Sequence, residues 1–459
     1  MKKSFIGTWL LTICWGCLTF SCNTEDSIDS TSLNSNHCAI TDITLGSLIR
    51  TIQSQTSSGK DTTYNTTLSG SLYALYIDQY KGEIYNPDSL PIGTHVDKVI
   101  FSNISSDGIL SYRTANGTDT LFSRTDTLDF THPRTFICFS YSGKAKKEYT
   151  VSINVHQVNS ELFVWQQQAN AHDIWTDITL QKAFYKDAQL NVFALKAGQP
   201  VCISAPTSSP QNWTVTYLPF SSFNPSNIQL LHNIFYMVAD NKVMRSDDGI
   251  HWSDSGSSLV PDALTAHSSS HLYAIKDGAM YVSADGAVWE SDAVENASHL
   301  LPASHFTSVW MPMSFNSNFE YVIMGGLLQD GTTPTEWKKV IDNKDSNTEP
   351  WNYFNAGNDI TFPYPSLPGT QIIAYDNRIY SLGIQGDTLS LFSISNDGGR
   401  TWIPQSNTYL HPTAIPASNF SWTIDEDKYM WIFCGGSGDI WRGRINRLGF
   451  KNNQTSFTQ

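Results

Sequence analysis

Charge is scarce in this chain of 459 residues: Asp, Glu, Lys and Arg make up 15%, and 28 basic against 42 acidic side chains leave a formal net charge of -14. No basic stripe runs through it. The densest positive cluster, Lys144-Ala145-Lys146-Lys147, is expected as a solvated turn. A nucleic-acid partner is therefore excluded, because phosphate binding depends on clustered cations that displace counterions. Zinc-type cysteine spacing is missing, and His299 and His305 lie close together without a partner set. No Gly-rich phosphate loop follows a strand. Gly435-Gly436-Ser437-Gly438 comes nearest to a nucleophile elbow, but it falls between two expected strands rather than at a strand-to-helix turn. Neither a cofactor nor a metal is expected. From about Cys38 to His156 helical periodicity is absent as well.

What is present is aromatic and β-prone. Phe, Trp and Tyr reach 12%, with abundant Ser, Thr and Asn, which favours an all-β exported protein. The length suits two domains, or one domain plus a repeat array. Lys2 and Lys3 followed by the apolar stretch Phe5 to Phe20 form a targeting segment, too short and too terminal for a membrane span. It ends in Leu18-Thr19-Phe20-Ser21-Cys22, which resembles the lipobox of bacterial lipoproteins, although Phe20 departs from the strict pattern. The resemblance implies a signal peptide over residues 1–21, lipidation of Cys22 and a membrane partner reached through that lipid. The implied location is the outer membrane, periplasmic or cell-surface side, the surface being favoured. Residues 22–36 are polar and are expected as a flexible tether. Cys38, Cys138, Cys202 and Cys434 are expected as buried free thiols, with a Cys38–Cys138 bridge as the alternative.

Residues 37–157 contain short alternating runs divided by turn signals, the pattern of a β-sandwich. Strands are expected at Leu72–Tyr76, Val96–Phe101, Ile109–Arg113, Thr135–Tyr141 and Tyr149–Val155. This stretch resembles immunoglobulin-like domains.

Residues 158–455 repeat themselves. Ser246-Asp247-Asp248-Gly249-Ile250-His251-Trp252, Ser283-Ala284-Asp285-Gly286-Ala287-Val288-Trp289 and Ser395-Asn396-Asp397-Gly398-Gly399-Arg400-Thr401-Trp402 are three copies of one phrase. The Asp can accept N–H bonds from the following turn, the Gly supplies positive φ, and the Trp can wedge between sheets. The phrase resembles the Asp-box, or BNR repeat, of some β-propellers. Weaker units sit at Trp213 and Trp351, and the spacings from Trp213 to Trp252 and from Trp252 to Trp289, 39 and 37 residues, are those of a four-stranded blade. Six blades are expected, with seven as the alternative. An inserted loop is expected between Gly325 and Trp337. Leu162–Gln167 is expected to complete the last blade, so that strand exchange between the chain ends closes the ring.

A second repeat pairs Pro302-Ala303-Ser304-His305-Phe306, ahead of Trp310, with Pro416-Ala417-Ser418-Asn419-Phe420, ahead of Trp422; each leads on to a Gly-Gly pair. In a propeller these segments open innermost strands on the face away from the repeated turns. Pro302, His305, Phe306, Trp310, Pro416, Asn419, Phe420 and Trp422 are therefore the candidate binding face. Asp248, Gly249, Trp252, Asp285, Gly286, Trp289, Asp397, Gly398 and Trp402 are expected to be structural. No catalytic residue is assigned.

Sialidases, which also carry Asp-boxes, need an arginine triad. Here Arg245, Arg378, Arg400, Arg442, Arg444 and Arg447 are the only candidates, and three of them crowd into one terminal segment. The chain as a whole resembles Bacteroidota lipoproteins that join an immunoglobulin-like sandwich to an Asp-box propeller. That resemblance implies a non-enzymatic module binding a glycan or protein partner. The alternative is a glycoside hydrolase or lyase using carboxylates such as Asp330, Asp359, Asp425, Glu426 or Asp427.

Overall fold

A computed structural model describes residues 34–55, 61–168, 172–295, 297–344, 349–354, 362–405 and 414–450. Cys22, the signal segment, most of the tether and Asp359 lie outside the described residues. The chain divides into two compact units, meeting in sequence between Asn159 and Ser160. Among the described residues, no helix is long and apolar enough to cross a membrane.

The N-terminal unit is a β structure with one hydrophobic core. Its largest sheet has six strands, in the order Tyr76–Asp78, Glu83–Tyr85, Lys146–Ser152, Arg134–Phe139, Ile109–Arg113 and Asp119–Leu121. Phe136, Cys138, Tyr149 and Val151 of that sheet pack with Ile40, Ile43, Phe101 and Ile104 of the pair Ile40–Leu45/Phe101–Ser106. Three expectations are corrected here. Leu72 lies in a 3-10 turn, Gly70–Leu72, and the strand starts only at Tyr76. Val96–Ile100 is not a strand, because Val99 spends its backbone N–H and C=O on Leu128 alone; pairing resumes at Phe101. The cluster at Lys144 is only half a turn, since Lys146 already begins a strand. A long hairpin, Ser47–Gln55 with Asp61–Ser69, carries Thr and Ser on both faces and so shows no alternating apolar pattern.

The C-terminal unit is a β-propeller. Among the described residues it holds six four-stranded antiparallel sheets. Blade 1 begins at Ile178–Lys186, blade 2 at Gln229–Leu231, blade 3 at Ala263–His267, blade 4 at Ser304–Met313, blade 5 at Gln371–Tyr375 and blade 6 at Asn419–Ile424. These first strands are the innermost and pack against those of neighbouring blades, except that the first strand of blade 1 meets the 3-10 turn Pro225–Asn227 ahead of blade 2. Blade 6 contributes Asn419–Ile424, Met430–Gly435 and Ile440–Ile445, and its outer strand is Phe163–Gln167, paired antiparallel from Phe163–Ile445 to Gln167–Trp441. Gly443 makes that closure possible: a Cβ there would stand 2.2 Å from the Trp165 ring. The unusual length of blade 4 comes from strands of 10, 12 and 9 residues, not from an inserted loop between Gly325 and Trp337.

Candidate functional site

The repeated phrase lies in the turn between the third and fourth strands of blades 2, 3 and 5. Its three copies share one set of bonds. Asp248 Oδ1 accepts the N–H groups of Ile250 and His251, both at 2.8 Å; Asp285 Oδ1 does the same for Ala287 and Val288 at 2.8 and 3.0 Å; Asp397 Oδ1 accepts Thr401 N–H at 2.9 Å. The preceding serines accept from the glycines: Ser246 Oγ from Gly249 at 2.9 Å, Ser283 Oγ from Gly286 at 2.9 Å and Ser395 Oγ from Gly399 at 2.8 Å. Trp252 and Trp402 return their indole N–H to the carbonyls of Gly249 and Gly399, both at 3.0 Å, whereas Trp289 turns to Ser257 Oγ.

The glycines also pack the blades together. A Cβ on Gly249 would stand 2.9 Å from Phe193 of blade 1, and one on Gly286 at 2.9 Å from Tyr236 of blade 2. Each turn thus fastens its blade to the one before. Burial acts to raise the carboxyl of Asp248, but the His251 ring and the local N–H donors outweigh it and hold the group well below the usual range. An acid so tied cannot donate a proton near neutrality.

In an antiparallel meander the turn after the third strand lies at the end where the first strand finishes. The opposite end, where first strands begin, holds a cavity of about 250 Å³. Blade 1 supplies Thr179, Leu180, Gln181 and Lys182; the linker ahead of blade 2 supplies Pro225 and Ser226; blade 4 supplies His305, Phe306 and Thr307; blade 5 and its approach supply Pro368 to Gln371 and Ile384; blade 6 and its approach supply Ser418, Asn419 and Phe420.

Polar side chains at this mouth and along the first strands tie neighbouring blades together. Gln181 Nε2 donates to Asn419 Oδ1 at 2.8 Å, joining blades 1 and 6, and Gln371 Nε2 donates to Phe420 O at 2.8 Å, joining blades 5 and 6. Thr307 Oγ1 accepts Ile372 N–H at 2.9 Å between blades 4 and 5. Lys182 Nζ donates to Ser226 O at 3.1 Å and Ile228 O at 2.7 Å, tying blade 1 to the start of blade 2. His267 Nδ1 meets Gln229 Oε1 at 3.0 Å between blades 2 and 3. Burial, reinforced by Lys182, pushes the His267 imidazole down to about 3, so it is neutral.

Of the eight residues assigned to the binding face, four line this cavity: His305, Phe306, Asn419 and Phe420. His305 is exposed, at φ +54°, and Phe306 is buried between this cavity and an adjoining open groove that Pro302 also lines. Pro416 is exposed and bridges to Thr388. The two tryptophans correct the assignment. Trp422 is 4% exposed and stacks on Phe392 at 5.6 Å, and half-buried Trp310 packs with the core between blades 3 and 4. They share a packing cluster with Phe420 and Phe306 but lie further along their strands, beyond the mouth and inside the packing between blades. The Gly-Gly pairs now have a physical reason: a Cβ on Gly326 would meet Pro302 at 2.7 Å, and one on Gly435 would meet Asn419 at 2.3 Å. The second repeat therefore marks a close approach between first and second strands.

Sequence reasoning missed Leu180, Gln181, Lys182, Ser226, Thr370 and Gln371, because blades 1 and 5 and the linker ahead of blade 2 lack the second repeat. A usable signal existed in polar or charged residues interrupting apolar first strands, as at Gln181, Lys182, Gln229 and His267.

The three arginines of the terminal segment are engaged elsewhere. Arg442 and Arg444 stack on Tyr429 at 3.6 and 4.2 Å, Arg442 approaches Asp425 at 3.5 Å, and Arg447 pairs with Asp376 and Glu161. Among the described residues, no arginine and no carboxylate lines the cavity. Asp330 caps its own turn through Thr332 and Thr333, the Thr333 hydroxyl first among the bonds that lower its carboxyl to about 2. Asp425 is buried, bonded to Trp431 Nε1 at 2.9 Å, and lies with Glu426 and Asp427 between the first two strands of blade 6, at the end away from the cavity.

Solved structures similar to the chain include the catalytic domain of a GH62 alpha-L-arabinofuranosidase from Coprinopsis cinerea. It shows 13% identity and a TM-score of 0.30, over 53% of this chain and 96% of that one. An endo-arabinase from Bacteroides thetaiotaomicron is similar at 8% identity and a TM-score of 0.31, over 55% and 87%. A mutant of AofleA from Arthrobotrys oligospora is similar at 10% identity and a TM-score of 0.35, over 62% and 93%. No curated protein matches the chain. Two sequence families do match: the DUF6242 N-terminal domain over residues 43–153 and the DUF6242 beta propeller domain over residues 159–453. Since the propeller family alone spans more than half of its length, the chain belongs to the DUF6242 family.

Proposed function

We propose that this protein is a non-enzymatic glycan-binding module, anchored at the outer membrane through lipid on Cys22, whose propeller takes the terminal unit of a glycan into the cavity between the first strands. The carrying observation is the lining: Phe306, Phe420, Leu180 and Ile384 provide apolar surface, and Thr179, Ser226, Thr370 and Gln371 provide hydroxyls and an amide. A sugar ring offers apolar C–H faces and a belt of hydroxyls, so it needs such a mixture. About 250 Å³ falls short of a drug-sized pocket and suits one ring rather than a chain.

Hydrolysis finds less support. It needs a carboxylic acid near the leaving oxygen and a carboxylate opposite. In the adjoining groove Asp240 and Asp262 are the carboxylates among the described lining residues. The Ser222 N–H, with Ser221, lowers Asp240; burial works to raise Asp262, but Asp277 N–H and Lys276 outweigh it. Both remain ionised near neutrality, and neither can act as the acid.

Glycan arrays followed by calorimetry test the reading. Leu180→Trp fills the cavity from a partly exposed position and should weaken binding at least about tenfold, or about 1.4 kcal/mol. Unchanged affinity in that variant, or no glycan bound by the native chain, would overturn it. Mass spectrometry of the mature N-terminus should show a diacylglycerol-modified Cys22.

A further inference from the structure

We infer that the sugar unit held in the propeller cavity is a monoanion, a uronate or a sulfate ester, whose charge is met by the Lys182 ammonium. This deepens the glycan-binding reading and rests on it.

Lys182 has no counter-ion among the described residues. Among the described residues, no carboxylate lines the cavity, and no ion pair involves Lys182. Its two bonds go to neutral carbonyls, Ser226 O at 3.1 Å and Ile228 O at 2.7 Å. An ammonium has three N–H donors, so one is left for the cavity. The other groups around it add no negative charge: the Phe184 ring lies 5.5 Å from Nζ, His267 is neutral, and His305 sits exposed at the rim. Holding blades 1 and 2 together does not require a full charge, since a neutral amide could donate to the same carbonyls. A desolvated cation is costly unless paired, and an anion entering the cavity supplies the pair. One ammonium with one spare donor matches a single negative charge.

The pH dependence follows. Burial pushes the Lys182 ammonium down to about 7. An anion binds the charged form, so affinity for an acidic sugar should hold below about pH 7 and fall above it, with a proton taken up on binding. A neutral sugar should show no such fall from Lys182.

Calorimetry with a galacturonate oligosaccharide, its methyl ester and a sulfated galactose oligosaccharide tests this. The acid should bind at least about tenfold tighter than the ester at pH 6, with the preference shrinking by about pH 9. Lys182→Gln, which can keep the bond to a carbonyl, and Lys182→Met should both abolish the preference while leaving ester binding in place. Leu180→Glu, which leaves Lys182 untouched and puts a negative charge at the rim, should weaken the acid more than the ester, and so keeps the test informative if a Lys182 variant fails to fold. Tighter binding of the uronate or of the sulfate ester decides between the two sources of charge. Equal affinity for acid and ester in the native chain overturns this inference and leaves the glycan reading standing. No binding of any of the three overturns this inference, and silence across the whole array removes the glycan reading with it.

Discussion

Replacing Asp292 should damage the propeller more than any surface change, because that carboxylate neutralises a cation buried between blades 3 and 4. Lys339 Nζ lies 2.8 Å from Asp292 Oδ1, with the two side chains 1% and 5% exposed. Asp292 Oδ2 accepts the indole N–H of fully buried Trp351 at 2.9 Å, and Lys339 also donates to Glu349 O at 2.7 Å. Asp292→Ala strands both partners: an ammonium without a counter-charge and an indole N–H without an acceptor. Removing one member of a buried pair costs about 3–5 kcal/mol. With a urea dependence of about 3 kcal/mol per molar, the unfolding midpoint should fall by about 1–1.7 M. Trp351→Phe deletes one hydrogen bond to a charged group and should cost about 1.5–3 kcal/mol. The double variant Asp292→Leu with Lys339→Met removes both charges and should recover most of the loss, since apolar replacements of buried pairs are often neutral or stabilising. Urea titrations followed by tryptophan fluorescence measure all three. A double variant as unstable as Asp292→Ala, or a midpoint shift below about 0.3 M for the single change, would refute the reasoning.

Three further outcomes follow from the same geometry. Gly249→Ala and Gly286→Ala each place a Cβ at positive φ and within 3 Å of the preceding blade, and each should cost at least about 1–2 kcal/mol in thermal or urea unfolding. Burial raises the Glu336 carboxyl to about 8, so folded protein keeps a proton that unfolded protein releases near its ordinary pKa of 4.5. Stability should therefore decline as pH rises from about 4.5 to about 8 and level off above, and Glu336→Gln should flatten that slope in melts taken across the range. Thiol labelling of the native state should modify half-exposed Cys38 and spare Cys138, Cys202 and Cys434, which react only after unfolding; burial raises Cys138 to about 11 and Cys202 to about 12.

The propeller was legible because its signals are local. Asp248, Gly249 and Trp252 form a turn whose bonds span three or four residues, so their spacing is fixed wherever the turn occurs. The closing strand Phe163–Gln167 was legible by accounting, since the last unit ran out of chain one strand short. The N-terminal unit was less so, because Val99 and Leu128 meet only in the folded structure and the Thr-rich hairpin has no apolar face to announce it. The cavity was half legible. His305 and Asn419 stood in a visible repeat, but Lys182 and Gln371 reach the mouth through the ring closure of six blades, which no local pattern encodes. The error over Trp310 and Trp422 has the same origin: both are aromatic and both follow the repeat, yet each lies two to four residues further along its strand than the phenylalanine at the mouth, inside the packing between blades. All four cysteines among the described residues are free, including the pair Cys38 and Cys138.

The most direct test of the central reading is a crystal structure of the protein with the best oligosaccharide from the array. The terminal ring should lie in the cavity bounded by Phe306, Phe420 and Leu180, with an acidic group against Lys182 Nζ. A sugar seated on the face of the repeated turns, or on the N-terminal unit, would contradict it.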